Sequence, residues 1–232
     1  QTLIAGGLSQ KNPSNQDASP TASVEIYDAA TGTWSATGSL NQARSDHTAT
    51  LLPSGQVLVV GGFLFRTGRL EGSEVSTSAE LYDPVLRQWT RTGNMIVGRG
   101  AHTATLLSSG KVLVAGGQDE FANTFSSAEI YDPVTGAWTP TGTMVSAHDQ
   151  HTATLLPSGQ VLVAGGIGQS QAVAVSELYD PATGTGPAPR TSRTRAKGTR
   201  RTCCLQGRYW SWGDSTTPTT PWQAPRCSTR RA

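Results

Sequence analysis

One line of sequence recurs three times and constrains the fold more than any other feature of this chain. The pattern His-Thr-Ala-Thr-Leu-Leu-x-Ser-Gly-x-Val-Leu-Val-x-Gly-Gly begins at His47, His102 and His151. Each copy ends in a glycine pair, and one more pair stands near the start of the chain. The pairs are Gly6-Gly7, Gly61-Gly62, Gly116-Gly117 and Gly165-Gly166, spaced 55, 55 and 49 residues apart. This period indicates an array of β-sheet units, not a helical array.

Each repeated unit reads as four short β-strands. In the second unit, residues 47–52 and 57–60 form a predicted hairpin around a Pro-Ser-Gly turn. A third strand over residues 78–82 is stopped by Asp83 and Pro84, and a short fourth strand surrounds Trp89. The 26 glycines and the hydrophobic fraction of 36% suit short strands joined by many turns. The sequence therefore predicts an all-β chain of four-stranded antiparallel units without helices.

Spaced aromatic residues complete the repeat. A tyrosine precedes a tryptophan by seven residues at Tyr27 and Trp34, Tyr82 and Trp89, and Tyr131 and Trp138. Together with the glycine pairs and an Arg-x-x-His motif, as in Arg44 to His47, this pattern resembles the kelch repeat. The segment Leu-Leu-Pro-Ser-Gly-Gln-Val-Leu-Val resembles the kelch-type proteins of bacteria. The resemblance covers residues 1 to about 185. It implies a β-propeller, a fold with about 4–8 blades around a channel. Counting the predicted strands gives about three to four blades, which do not close a ring, and so the sequence predicts an open propeller fragment.

The repeat assigns most recurring residues to the scaffold. These structural positions are His47, His102, His151, Gly61, Gly62, Gly116, Gly117, Gly165, Gly166, Tyr27, Tyr82, Tyr131, Tyr179, Trp34, Trp89 and Trp138. One departure is His148, which occupies the place of Arg44 and Arg99.

The repeat also predicts the domain boundaries. Kelch repeats fill residues 1–185, as a partial blade (1–39) without its first strand, two full blades (40–94 and 95–143) and an incomplete blade (144–185); a basic tail rich in Pro, Thr and Arg follows over residues 186–232. We expect the natural protein to be longer than this chain. Since so few blades do not close a ring, we expect self-association through open sheet edges.

The tail differs from the repeats in charge. It holds ten Lys and Arg against one acid, while residues 1–185 hold eight basic and 15 acidic residues, so the net charge of +2 divides into +9 and −7. All three cysteines, Cys203, Cys204 and Cys227, also lie in the tail, and the repeats therefore have no disulfide framework or thiolate metal site. A disordered basic arm that stacks its aromatic residues on nucleic acid is one interpretation, but nucleic acid is not the partner we expect.

A shifted reading frame is the interpretation we favour for the tail. Gly186 stands where the repeat places a tryptophan, and the last base of the Thr185 codon with the first two of Gly186 can spell TGG. Further on, three junctions between neighbouring codons can encode only one residue in the shifted frame. Cys203 to Cys204 gives Leu, Tyr209 to Trp210 gives Leu, and Trp212 to Gly213 gives Gly. These shifted-frame residues lie 152 positions after Leu52, Leu58 and Gly61 and match them in type. The tail then represents a frame-shifted fifth kelch segment.

Two recurring sets of polar residues could carry chemistry, but their periodicity favours structural roles. Three imidazoles would hold a metal only if they converged, whereas equivalent positions in successive blades are separated around the axis. We expect each repeat histidine to hydrogen-bond within its own blade, and we expect no metal and no cofactor. The repeated acids are expected to cap turns or to pair within a blade; they are Glu25, Glu80, Glu129, Glu177, Asp28, Asp83, Asp132 and Asp180.

Binding residues are expected where the repeat pattern lapses, in the loops after the glycine pairs. All four phenylalanines of the chain lie in these loops, over residues 63–77 and 118–126, with charged residues beside them. Exposed aromatic and arginine side chains suit the centre of an interface, although the rings could instead pack onto the blades. The candidate binding residues are Phe63, Phe65, Arg66, Arg69, Asp119, Glu120, Phe121 and Phe125.

These features predict a non-enzymatic recognition scaffold for a protein or carbohydrate ligand, with no catalytic residues. One alternative is a fragment of a propeller enzyme, either similar to galactose oxidase or carbohydrate-active. The copper oxidase fits poorly, because it needs a Tyr–Cys crosslink and the repeats contain no cysteine. Another alternative is a truncated product without function. No apolar run is long enough to span a membrane, and an extracytoplasmic or secreted location is our working assumption.

Overall fold

The computed structural model describes residues 1–9, 19–64, 74–169 and 171–185, together with the backbone of residues 190–191. These residues fall within one compact unit, Gln1–Ala196. The described residues form β-strands, turns and loops, and none of them forms a helix that is long and apolar enough to cross a membrane. The all-β prediction is confirmed.

The strands form four successive antiparallel sheets, here called blades 1 to 4. Blade 1 consists of β1 (Thr2–Ala5), β2 (Val24–Asp28) and β3 (Thr33–Ala36). Blade 2 consists of β4 (Thr48–Leu51), β5 (Val57–Val60), β6 (Ala79–Asp83) and β7 (Gln88–Arg91). Blade 3 consists of β8 (Thr103–Leu106), β9 (Val112–Ala115), β10 (Ala128–Asp132) and β11 (Ala137–Thr141). Blade 4 consists of β12 (Thr152–Leu155), β13 (Val161–Ala164), β16 (Val175–Tyr179) and β17 (Arg190–Thr191), and a small hairpin, β14 (Ile167–Gly168) and β15 (Gln171–Ala172), precedes β16.

Each blade is a meander whose register follows from its turns. In blade 2, Val57 pairs with Tyr82, and Tyr82 in turn pairs with Trp89, which brings their rings to 5.0 Å. The aspartate that ends the third strand caps the following turn, since Asp83 Oδ1 accepts hydrogen bonds from the amides of Val85 and Leu86. The third and fourth strands are thereby fixed as a tight hairpin.

The core lies between the blades. The first strand of blade 3 contacts the first strands of blades 2 and 4. Three apolar clusters fill the spaces between successive blades: Val24, Ile26, Leu40, Val59, Tyr82 and Trp89; Leu52, Leu58, Val60, Ala79, Met95, Val112, Val114 and Tyr131; and Leu107, Leu113, Ala115, Ala128, Val161, Val163 and Tyr179. Each blade is therefore stabilised mainly by its neighbours in the array.

The glycine pairs mark the closest approach between blades. Gly61 has a φ of 65°, and a Cβ there would lie 2.6 Å from the carbonyl oxygen of Arg99 and 2.8 Å from Cε1 of His102. The amide of Gly62 donates to the same Arg99 carbonyl at 2.9 Å. A side chain at position 61 would separate the two blades, which explains the recurrence of glycine.

Polar contacts repeat along the same seams, named here seam 1/2, seam 2/3 and seam 3/4 after the blades they join. A tyrosine hydroxyl of each later blade hydrogen-bonds a threonine hydroxyl of the preceding one: Tyr82 with Thr37 at 2.6 Å, Tyr131 with Thr92 at 2.8 Å, and Tyr179 with Thr141 at 2.6 Å. In seams 1/2 and 2/3 a tryptophan Nε1 also donates to a glycine carbonyl 2.7 Å away: Trp89 to Gly38, and Trp138 to Gly93.

The described sheets do not close into a ring. A Cβ on Gly116 would contact the carbonyl of His148 in the following blade, whereas one on Gly165 would meet no described atom within 4 Å. The structure is that of an open propeller fragment, as the sequence predicts. The tail beyond residue 191 lies outside the described residues, and so does the frame-shift interpretation of it.

Candidate functional site

The loop after the glycine pair of blade 3 is built on backbone pairing. Gln118 forms bridges with Gly100 and with Thr124, which anchor the loop to the start of its own blade and close it on itself. The loop leaves β9 and returns to β10, so it lies at the opposite end of β10 from the turn at residues 133–136. Residues 118–126 therefore form a short, anchored projection at one edge of the blade.

Asp119 holds the tip of this projection in shape. Its Oδ1 accepts hydrogen bonds from the amides of Phe121 and Asn123 at 2.9 and 2.8 Å, and its Oδ2 accepts one from the Asn123 side chain at 2.8 Å. Ala122 takes a φ of 63°, which the tight turn requires. The Asp119 carboxylate therefore stabilises the conformation of its own loop. In this conformation Phe121 has 71% of its surface exposed.

The corresponding loop of blade 4 adjoins this projection. The amide of Gln169 donates to the hydroxyl of Thr124 at 3.2 Å, which connects the hairpin of β14 and β15 to loop 118–126. The two loops therefore form one continuous surface, which is defined here as the loop face (residues 118–126 and 167–169).

The candidate binding residues are distributed between surface and interior. Phe121 lies on the loop face, Glu120 is half-buried beside it, and Asp119 supports it. Phe63 is fully buried, at 0% exposure, so its ring packs within the blades and is not available to a partner. Phe125 is half-buried, and the guanidinium carbon of Arg99 lies 5.3 Å from the centre of its ring. The remaining three candidates lie outside the described residues: Phe65, Arg66 and Arg69.

Buried ion pairs connect the residues on either side of the loops that follow the glycine pairs. Arg44 donates to the carbonyl of Gly61 at 2.6 Å and to Oε1 of Glu80 at 2.9 Å. Arg99 repeats this arrangement with Gly116 at 2.7 Å and Glu129 at 3.2 Å.

Burial lowers the pKa of both guanidinium groups below the usual value, and the glutamate beside each counteracts this effect. These arginines hold the start of each blade against the strand that follows the loop. Because they make buried, geometrically matched contacts, they belong to the scaffold and not to the accessible surface.

Blade 4 carries an altered version of this support. His148 replaces the arginine, with Nδ1 2.7 Å from the carbonyl oxygen of Gly165 and Nε2 3.1 Å from Oε1 of Glu177. Arg99 also donates to the Ser127 hydroxyl at 3.0 Å, and at the equivalent position blade 4 has Val175. His148 departs visibly from the repeat in the sequence, whereas the accompanying Ser-to-Val difference gains a meaning only from the Arg99–Ser127 contact.

The repeat histidines join adjacent blades, which corrects the expectation that each would bond within its own blade. His102 Nε2 lies 3.0 Å from the hydroxyl of Thr48 in blade 2, and His151 Nε2 lies 2.8 Å from that of Thr103 in blade 3. The reason is that the first strands of adjacent blades contact each other, which brings the histidine before one strand to the threonine of the next strand toward the amino terminus. The threonine that follows each repeat histidine at fixed spacing is the signal that could have indicated this contact.

Burial is the main influence on these imidazoles. The pKa of His102 is lowered to about 3 and those of His47 and His151 to about 4, mainly by burial, and the nearby cation of Arg99 or Arg44 contributes to the lowering for His102 and His47. All three rings are therefore neutral near pH 7. Among the described residues, no group of three His, Cys, Asp or Glu side chains is arranged to hold a metal ion.

The comparison with known families agrees with this geometry. Residues 99–145, which span the supporting arginine, the loop face of blade 3 and its tyrosine–tryptophan pair, match the model of the Kelch motif. No curated protein matches the chain.

Proposed function

We propose that this chain, a kelch-repeat protein, is a non-enzymatic scaffold that binds a polypeptide partner through its loop face. Kelch repeats generally mediate protein binding. The observation that carries the proposal is the exposure of Phe121 at 71% on a loop whose conformation is fixed by Asp119.

A fixed, exposed aromatic ring suits an interface for two reasons. A phenylalanine buries a large apolar area on binding, and a loop that is already ordered loses little conformational entropy when the partner docks. Energetically dominant interface residues are also commonly aromatic side chains surrounded by weaker polar contacts. Glu120 supplies a polar group of this kind next to Phe121.

Quantitative affinity capture with three matched baits tests the proposal. The baits are the full chain, Phe121→Ala and Val134→Ala; Val134 is 91% exposed on the turn at the opposite end of β10. We expect specific partners to be retained by the full chain and by Val134→Ala and to be lost with Phe121→Ala. Equal capture by all three baits would contradict binding through the loop face.

A second measurement separates binding from folding. Phe121→Ala should leave the free energy of unfolding within about 0.5 kcal/mol of the parent, because surface substitutions rarely change it more. Phe63→Ala removes a buried ring and should lower it by about 3–5 kcal/mol. A large loss of stability in Phe121→Ala would show that its ring packs against the blade and would remove the basis of the proposal.

A further inference from the structure

Charge is unevenly divided within the kelch repeats. Residues 1–111 hold eight basic and eight acidic residues, whereas residues 112–185 hold seven acidic residues and no lysine or arginine. The net charge of the repeats therefore arises entirely in the second part, which carries the loop face. A region with one sign of charge attracts partners of the opposite sign.

The cations that border this part of the chain do not neutralise the loop face. Arg99 is buried in its ion pair with Glu129, and Lys111 pairs with Asp132 at 3.0 Å, at the end of β10 that lies opposite the loop. Among the described residues, no lysine or arginine forms an ion pair with a carboxylate of residues 118–126. The exposed phenylalanine ring of the loop face thus lies beside carboxylates that no cation of the described chain compensates.

A further carboxylate lies beneath the loop face. The amides of Asp149 and Ile167 each donate to the carbonyl oxygen of the other residue at 2.9 Å, which attaches Asp149 to the loop face. Asp149 is only 3% exposed, and its Oδ1 is buried without a hydrogen-bond partner among the described residues. The equivalent positions in blades 2 and 3 are the uncharged Ser45 and Gly100. An unpaired buried carboxylate costs stability, and a cation brought close to it offsets that cost.

The repeat shows where the Asp149 side chain is directed. At the equivalent Gly100, an added Cβ would clash with the ring of Phe63, the residue that follows the glycine pair of the preceding blade. Gln118 follows the glycine pair of blade 3 and so takes the place of Phe63 for blade 4. The Asp149 side chain is therefore directed toward Gln118, a residue of the loop face. Burial raises the pKa of this carboxyl, and a nearby cation would favour its charged form.

We propose that the loop face binds a basic segment of its polypeptide partner, in which lysine or arginine residues flank an apolar side chain. This inference rests on the proposed function and adds the chemical class of the partner. The apolar side chain packs on Phe121, and the cations lie near Glu120 and above Asp149. The attraction acts over about 8–10 Å at physiological salt, which is enough to reach both carboxylates from the surface. The same charge repels nucleic acid and acidic peptides.

The first test is selection of peptides from a random dodecapeptide phage library on the full chain, with counter-selection on Phe121→Ala. Both proteins carry the basic tail, so counter-selection removes peptides that bind the tail. We expect the remaining peptides to carry a net charge of about +2 or more, relative to the unselected library. Remaining peptides that are neutral or acidic would overturn the basic partner but leave binding through the loop face intact. If no peptide depends on Phe121, both proposals are wrong.

Fluorescence anisotropy with the most enriched peptide then locates the charges that attract it. We expect Glu120→Gln and Asp149→Asn each to weaken binding by about threefold. Asp180→Asn removes the same charge beyond the opposite end of β16 and should change the Kd by less than about twofold. An equal loss in all three variants would show that the overall charge attracts the peptide and not the loop face. Unchanged binding in Glu120→Gln and Asp149→Asn would likewise overturn the inference.

Discussion

His148 and Glu177 form a buried pair in blade 4 where the two preceding blades have arginine–glutamate pairs. Both ring nitrogens of His148 face acceptors, the carbonyl oxygen of Gly165 and a carboxylate oxygen of Glu177. An imidazolium donates to both, whereas a neutral ring has a single N–H and leaves one acceptor without a hydrogen. The guanidinium groups of Arg44 and Arg99 carry more donors and reach both the glycine carbonyl and the glutamate at once.

Restoring the arginine arrangement should stabilise blade 4. We expect the double variant His148→Arg, Val175→Ser to exceed the parent in free energy of unfolding by about 1–3 kcal/mol, because a guanidinium group donates to the Gly165 carbonyl, the Glu177 carboxylate and the new serine hydroxyl together, as Arg99 does in blade 3. Urea unfolding measures this, with Val175→Ser alone as the control. A double variant no more stable than Val175→Ser would show that the additional donors of arginine do not stabilise this position.

The buried repeat histidines predict a loss of stability in mild acid. Their pKa values in the folded chain are about 3 to 4, below the usual value near 6.5, so between these limits the unfolded chain binds more protons. The free energy of unfolding should be constant above about pH 7 and fall as the pH drops from about 6.5, by up to about 1.4 kcal/mol per pH unit for each histidine. Urea unfolding from pH 7.5 to 4.5 measures the slope. His102→Gln should reduce it, and an unchanged slope in that variant would mean that His102 is not buried in neutral form.

Two tryptophans at equivalent positions should differ in their effect on stability. Trp89 is 8% exposed and donates to Gly38 across seam 1/2, whereas Trp34 in blade 1 is 50% exposed. We expect Trp89→Ala to lower the free energy of unfolding by about 3–5 kcal/mol and Trp34→Ala by no more than about 1 kcal/mol. Equilibrium denaturation of the two variants tests this. Similar losses in both would show that the tryptophan acts within its own blade and not across the seam.

Blade 1 presents a sheet edge that predicts self-association. Among the described residues, β1 pairs only with β2, and Ile4 on this strand is 51% exposed. An unpaired edge with apolar side chains can pair with a second chain, and a lysine at the edge opposes this. We expect sedimentation velocity over a concentration series to show oligomers of the parent chain, with fewer for Ile4→Lys. Ile4→Val is the matched control, and a lysine variant that associates as strongly would exclude this edge.

The sequence predicted the blades because strand positions depend on local patterns that recur. Alternating apolar residues, the Asp-capped turn and the glycine pairs each act over a few residues. Because they recur, each repeat predicts the same strand boundaries again. Contacts between blades were harder to predict, since they join residues about 40–55 positions apart. The Thr-Gly pairs at Thr37, Thr92 and Thr141 recur with the repeat and mark the tyrosine contacts. The burial of Phe63 could not be read from composition, because the same loop position suits either an exposed or a packed ring.

The direction of the seam contacts has a consequence for synthesis of the chain. In seam 2/3 the tyrosine hydroxyl, the tryptophan indole and the repeat histidine of the later blade contact groups of the preceding blade, and in seam 3/4 the tyrosine and the histidine do so. A chain emerges from the ribosome at about 5–20 residues per second, so each blade has several seconds to order before the next is complete. A newly made blade thus meets hydrogen-bonding partners that are already in place. We infer that the array grows from its amino-terminal blade, with each finished blade acting as the template for the one that follows.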